Sequence, residues 1–150
     1  MAWTVSGIYY PTHRDQWDDT NLAVDWTQAS ALKIALYDDT EVPNYSTETV
    51  FSATNEVFGT GWATGGVVVT GAAIDESPTG TIRYDATDVS ETATTLVDSF
   101  GAKVYDDTNA TTADALIVGI DFPAGDYSTN NGTLAITFDA TGVWTIDLTP

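Results

Sequence analysis

The sequence predicts an all-β domain, and three observations carry the prediction. Apolar residues recur with period two in short runs: Leu32, Ile34 and Leu36; Leu134, Ile136 and Phe138; Trp144, Ile146 and Leu148. Composition favours strands and turns over helix, since Thr is the commonest of the 150 residues at 26 and Asp outnumbers Glu 17 to 5. Turn signals separate the runs: Thr64-Gly65-Gly66, Pro78-Thr79-Gly80, Asn130-Asn131-Gly132 and Ala140-Thr141-Gly142. About eight short strands of this kind specify a β-sandwich or jelly-roll-like barrel with minimal helix.

Taken in order, strands are expected over residues 3–10, 31–37, 66–70, 80–85, 100–105, 115–122, 133–138 and 143–148. The expected core is Leu32, Ile34, Leu36, Val68, Ile82, Val104, Ile117, Ile120, Ile136, Phe138 and Ile146, joined by Trp26, Trp62 and Trp144. Two short helices are considered, one over residues 18–26 capped by Thr20 or Asn21, the other over 45–55. Tyr37-Asp38-Asp39-Thr40 and Tyr105-Asp106-Asp107-Thr108 echo each other after apolar strands. The preferred explanation is a strand ending in an Asx-type turn rather than internal duplication. A second echo links Tyr84-Asp85-Ala86-Thr87 with Phe138-Asp139-Ala140-Thr141.

Charge excludes several functions. Twenty-two acidic residues against four basic ones give a net charge of −18, so nucleic acid and anionic membrane surfaces would repel the chain. No apolar run approaches the roughly 20 residues of a membrane-spanning helix, and the start, Met1-Ala2-Trp3-Thr4, lacks the pattern of a signal peptide. There is no cysteine for a disulfide or thiolate site.

Catalytic chemistry has little to build on, and no enzyme is expected. The one histidine, His13, reads as a surface residue, and no acidic pair stands out among so many carboxylates. No cofactor is expected either. Calcium is the one alternative, at Asp38/Asp39 with Glu41 or at Asp106/Asp107 with Asn109, where solvated acidic loops are the preferred reading. A binding surface is sought in the N-terminus. Residues 1–12 read as an aromatic arm preceding a single β-domain over 13–150, and Trp3, Val5, Ile8, Tyr9 and Tyr10 are the expected partner contacts.

One ordered set of motifs goes further. Leu32-Lys33-Ile34-Ala35-Leu36-Tyr37 is followed by Pro43-Asn44-Tyr45, then Glu56 with Gly59-Thr60-Gly61-Trp62 and Gly65-Gly66, then Val104-Tyr105-Asp106, and finally Phe138-Asp139-Ala140-Thr141-Gly142. Over residues 31–148 this order resembles a family of small structural proteins encoded among the virion genes of tailed bacteriophages. The resemblance implies a non-enzymatic virion protein, made in the host cytoplasm and placed on the outer capsid surface as a decoration or minor capsid protein. Its implied partners are the major capsid protein and copies of itself, a trimer at a symmetry axis being one arrangement. A minor tail or adhesin-like protein binding host glycan is the alternative. The charge favours the outside of the head, since −18 per copy would face packed DNA within.

Overall fold

The computed structural model describes residues 3–18, 26–27, 32–108 and 112–148. Within them the chain forms eleven strands and one helix: β1 (Gly7–Ile8), α1 (Tyr10–Asp18), β2 (Leu32–Tyr37), β3 (Glu56–Val57), β4 (Val67–Val68), β5 (Ala73–Glu76), β6 (Thr81–Asp85), β7 (Val89–Leu96), β8 (Gly101–Asp106), β9 (Ala115–Asp121), β10 (Thr129–Ile136) and β11 (Trp144–Asp147). The domain is all-β. A six-stranded antiparallel sheet runs β1-β9-β8-β2-β3, with β4 also pairing β2. A β10-β7 ribbon and a three-stranded β11-β6-β5 sheet complete it.

Alternation along β2 explains how the layers pack. Leu32, Ile34 and Leu36 point to one face, where they meet Val104 and Ile117 of the same sheet, Val89, Leu96, Leu134 and Ile136 of the ribbon, and Tyr84 of the small sheet. This is the main core. The opposite face carries Ala35, Tyr37, Tyr105 and Leu116, and it is not left to solvent. Trp3, Tyr9, Tyr45 and Phe51 cover it as a second apolar layer. The three central strands β2, β8 and β9 are therefore buried on both faces, which antiparallel sheets commonly are not.

Several expectations change on the structure. Three strands escape the pattern. β3 is only two residues long, and the middle of β7 is Ser-Glu-Thr-Ala-Thr-Thr, which carries no apolar alternation. β5 is exposed throughout. Val68 is 43% exposed, because it sits opposite Lys33 while Val67 sits opposite Ile34 and joins the core side, a phase error of one residue. Ile82, Ile120, Phe138 and Ile146 are half-buried rather than enclosed, and Leu148 is exposed. Trp144 is likewise half-buried, whereas Trp26 and Trp62 are core residues as expected. Asn130-Asn131-Gly132 does not turn the chain. It forms a bulge inside β10, with Asn131 at φ 50°. Residues 45–55 form no helix. They run alongside β9, with Phe51 N–H donating to Asp114 O and Leu116 N–H to Thr49 O, as their Ser, Thr and Val content favours. The helix considered over 18–26 lies, apart from Asp18 and Trp26, outside the described residues.

The Tyr-Asp-Asp-Thr echoes are capped turns. Asp38 Oδ1 accepts from Thr40 N–H and Oγ1 (2.8 and 2.6 Å), and Asp106 Oδ1 accepts from Thr108 in the same way (2.9 and 3.1 Å). Asp139 and Thr141 repeat it. In the second echo, Asp85 caps its own neighbour Ala86 instead.

Candidate functional site

The N-terminal segment is part of the domain. β1 is the edge strand of the large sheet, pairing Gly7 with Gly119 and Ile8 with Val118 of β9. Beyond it, Tyr9 N–H donates to Ile117 O and Tyr10 N–H to Tyr45 O. The glycines have a packing reason. The Tyr45 ring lies across Gly7 and Gly119, where a Cβ would stand 3.1 and 2.8 Å from ring carbons, and its hydroxyl donates to Val5 O at 2.7 Å. Trp3 packs in the same way on Gly101. Trp3 and Tyr9 are thus buried within this chain and do not project from an arm, and the proposed boundary between residues 12 and 13 falls inside α1. Of the five expected contact residues, Val5, Ile8 and Tyr10 remain exposed.

α1 begins where Pro11 occupies its first turn, a position that costs no hydrogen bond. Its inner side anchors to β9: Thr12 Oγ1 donates to Leu116 O, and His13 Nε2 lies 3.2 Å from Ile117 O. His13 is buried, contrary to the surface reading, between the Trp26 and Trp144 rings at 4.5 and 5.4 Å. A carbonyl only accepts, so Nε2 carries a proton. Burial holds the His13 pKa below its ordinary 6.5, against the smaller upward effect of the Ile117 bond. The unfolded chain therefore takes up a proton as pH falls through about 6.5 while the folded one does not, so stability declines in that window. An NMR titration of the His13 Cε1–H should give a midpoint below 6.5; a midpoint at or above it would contradict the effect of burial.

The outer side of α1 presents Tyr10, Arg14 and Trp17 at i, i+4 and i+7. Trp17 is 69% and Tyr10 56% exposed. Ile8, Tyr10, Arg14, Trp17, Asp18 and Ile146 border one hollow, and Trp17 with Ile74, Ile82 and Trp144 borders a second. Sequence reasoning passed over Trp17. The signal was its spacing from Tyr10, which only a helix makes one face.

The second concentration of chemistry is interior. Lys103, 2% exposed, puts Nζ 2.5 Å from Glu41 Oε1 and 2.9 Å from Glu48 Oε2, and 4.7 and 5.9 Å from the Tyr37 and Tyr9 ring centres. Asn55 Nδ2 donates to Glu41 Oε2 at 3.1 Å. Burial, reinforced by the nearby glutamates, pushes the Tyr9 and Tyr37 phenols well above their ordinary range, so both stay neutral beneath the cation. The node fastens the segment 41–55 over the outer face of the sheet. The sequence signal was a lone lysine inside an apolar strand.

Four of the carboxylates considered for calcium have partners within the chain. Asp38 and Asp106 cap turns, Asp107 pairs with Lys33 at 2.7 Å, and Glu41 pairs with Lys103. Asn109 lies outside the described residues. Among the described residues no group of three or more acidic, His or Cys side chains is placed to hold a metal ion.

These features define an all-β domain with a doubly covered sheet, an interior ion-pair node and one exposed aromatic face. No protein-family model, curated protein or solved structure matches the chain.

Proposed function

We propose that the chain is a non-enzymatic structural protein of a tailed-phage particle, bound to the outer surface of the head. The motif order over residues 31–148 suggests the particle. The observation that supports the outer surface is how charge is distributed. All four lysines and arginines are tied up in ion pairs, three of them with residues distant in sequence: Lys33 with Asp107, Arg83 with Asp75 and Lys103 with Glu41 and Glu48. The fourth, Arg14, is bonded to its neighbour Asp15. The outward field is thus strongly negative. That keeps particles dispersed on the outside and opposes packing against nucleic acid inside. The major capsid protein and neighbouring copies are the partners this reading requires.

Cryo-electron microscopy of the parent particle, with and without the gene, tests it. Extra density repeated over the head is expected. Density confined to the tail tip would favour a tail or adhesin-like role instead, and no difference would remove the chain from the particle.

A further inference from the structure

We infer that two copies of this chain associate through the outer face of α1, Trp17 of each inserting into the hollow beside Tyr10 of the other. The hollow, about 390 Å³, lies between Ile8, Tyr10, Trp17 and Ile146, so the protruding indole stands next to the recess that would receive it. A knob adjoining its own hole is self-complementary under a two-fold axis, which is the condition for an isologous dimer.

Three observations select a second copy as the occupant. The first is area. Ile8, Tyr10, Trp17 and Ile74 are 37%, 56%, 69% and 47% exposed. Taking about 150–250 Å² for a large side chain, the face offers on the order of 500 Å². That is the larger part of the roughly 800 Å² each partner gives to a standard interface, and reaches the upper range of ordinary monomer patches. The second is chemistry. Tyr, Arg and Trp at i, i+4 and i+7 are the residue types that dominate interface energies. The third is charge. On a chain of −18, the charged residues lining this hollow are one carboxylate, Asp18, and one cation, Arg14, so two copies can meet here with little net charge between them.

The same charge fixes a signature. Repulsion between two acidic bodies is screened by salt, the Debye length falling from about 30 Å at 0.01 M to about 8 Å at 0.15 M. Apolar contact is not weakened by salt. The dimer should therefore tighten as salt rises, whereas docking onto a basic partner surface would loosen.

The inference stands apart from the particle reading, because it needs only the purified chain. Sedimentation equilibrium of the full chain at 5–500 μM (roughly the range that detects weak association), in low and high NaCl, decides it. A dimer whose dissociation constant falls several-fold with salt is expected. Trp17→Ala should raise that constant on the order of thirtyfold, as loss of an interface anchor does. Trp17 is exposed, so at concentrations where both proteins are monomeric the variant should keep the wild-type thermal midpoint. Phe58→Ala, which alters an exposed aromatic next to β3 at the far edge of the sheet, should leave association unchanged. A monomer at every concentration overturns the proposal. So does a dimer that Trp17→Ala leaves intact, or one that dissociates as salt rises.

Discussion

Lys103→Met should destabilise the domain by about 3–5 kcal/mol, the cost of removing one partner from a buried ion pair. The side chain is 3% exposed and its partner Glu41 11% exposed, so the substitution strands a carboxylate that water reaches poorly. Glu48 is 29% exposed and is better placed to turn outward. Glu41 keeps the Asn55 amide, a neutral partner. The loss also unfastens residues 41–55 from the sheet, exposing Tyr37 and Phe51. Urea unfolding at pH 7, followed by tryptophan fluorescence, measures it. Adding Glu41→Leu to Lys103→Met should recover much of the loss, because a buried pair replaced by apolar residues is often neutral or better. A single-variant loss below about 1 kcal/mol would mean that solvent already screens the node.

Gly66→Ala should cost more than about 4 kcal/mol and leave little folded protein. Gly65→Ala, one residue earlier, should cost only about 1–2 kcal/mol, the ordinary penalty of a left-handed backbone for a residue with a Cβ. The two glycines have nearly the same φ, +83° and +80°, so conformation alone does not separate them. Space does. A Cβ at Gly65 would meet only the Tyr105 hydroxyl at 3.3 Å. At Gly66 it would stand 2.0 Å from the Ile34 carbonyl oxygen and 2.8 Å from the Ala35 nitrogen. Those are backbone atoms of a central strand, and no side-chain rotation relieves them. β4 must leave β2, with Val69 and its bond to Leu32 O following. Matched unfolding curves for the two variants check the contrast, and equal losses would place the strain in φ rather than in the approach of the strands.

Legibility differed from element to element for identifiable reasons. Eight expected strands overlap observed ones: β10 and β11 through alternation that sets one face against a core, and β8 and β9 through continuous apolar runs, both local properties of the chain. The Asp38–Thr40 and Asp106–Thr108 turns were readable because an Asx turn closes within three residues. β7 was not readable. Its Thr-rich middle pairs with β10, and Thr94, although polar, is fully buried where its hydroxyl meets Thr129 and Gly132 O. The N-terminal aromatics were read as an arm because nothing within residues 1–12 reveals that Gly119 and Gly101, a hundred residues away, leave flat ground for Tyr45 and Trp3.

The exposed face and the interior node divide in the same way. The sequence by itself determined the all-β class, the turn chemistry, most of the inner face of β2 and the acidic exterior, since each follows from residue type and short-range spacing. Only the tertiary structure decided that the outer face of the large sheet is covered too. That cover turns Lys103 from a solvated lysine into a buried one. It also places His13 between two indoles and leaves Trp17, of five tryptophans, facing water. The physical reason is that burial is a property of what arrives from elsewhere in the chain. An aromatic or a lysine has the same local pattern whether or not a distant segment comes to lie on it.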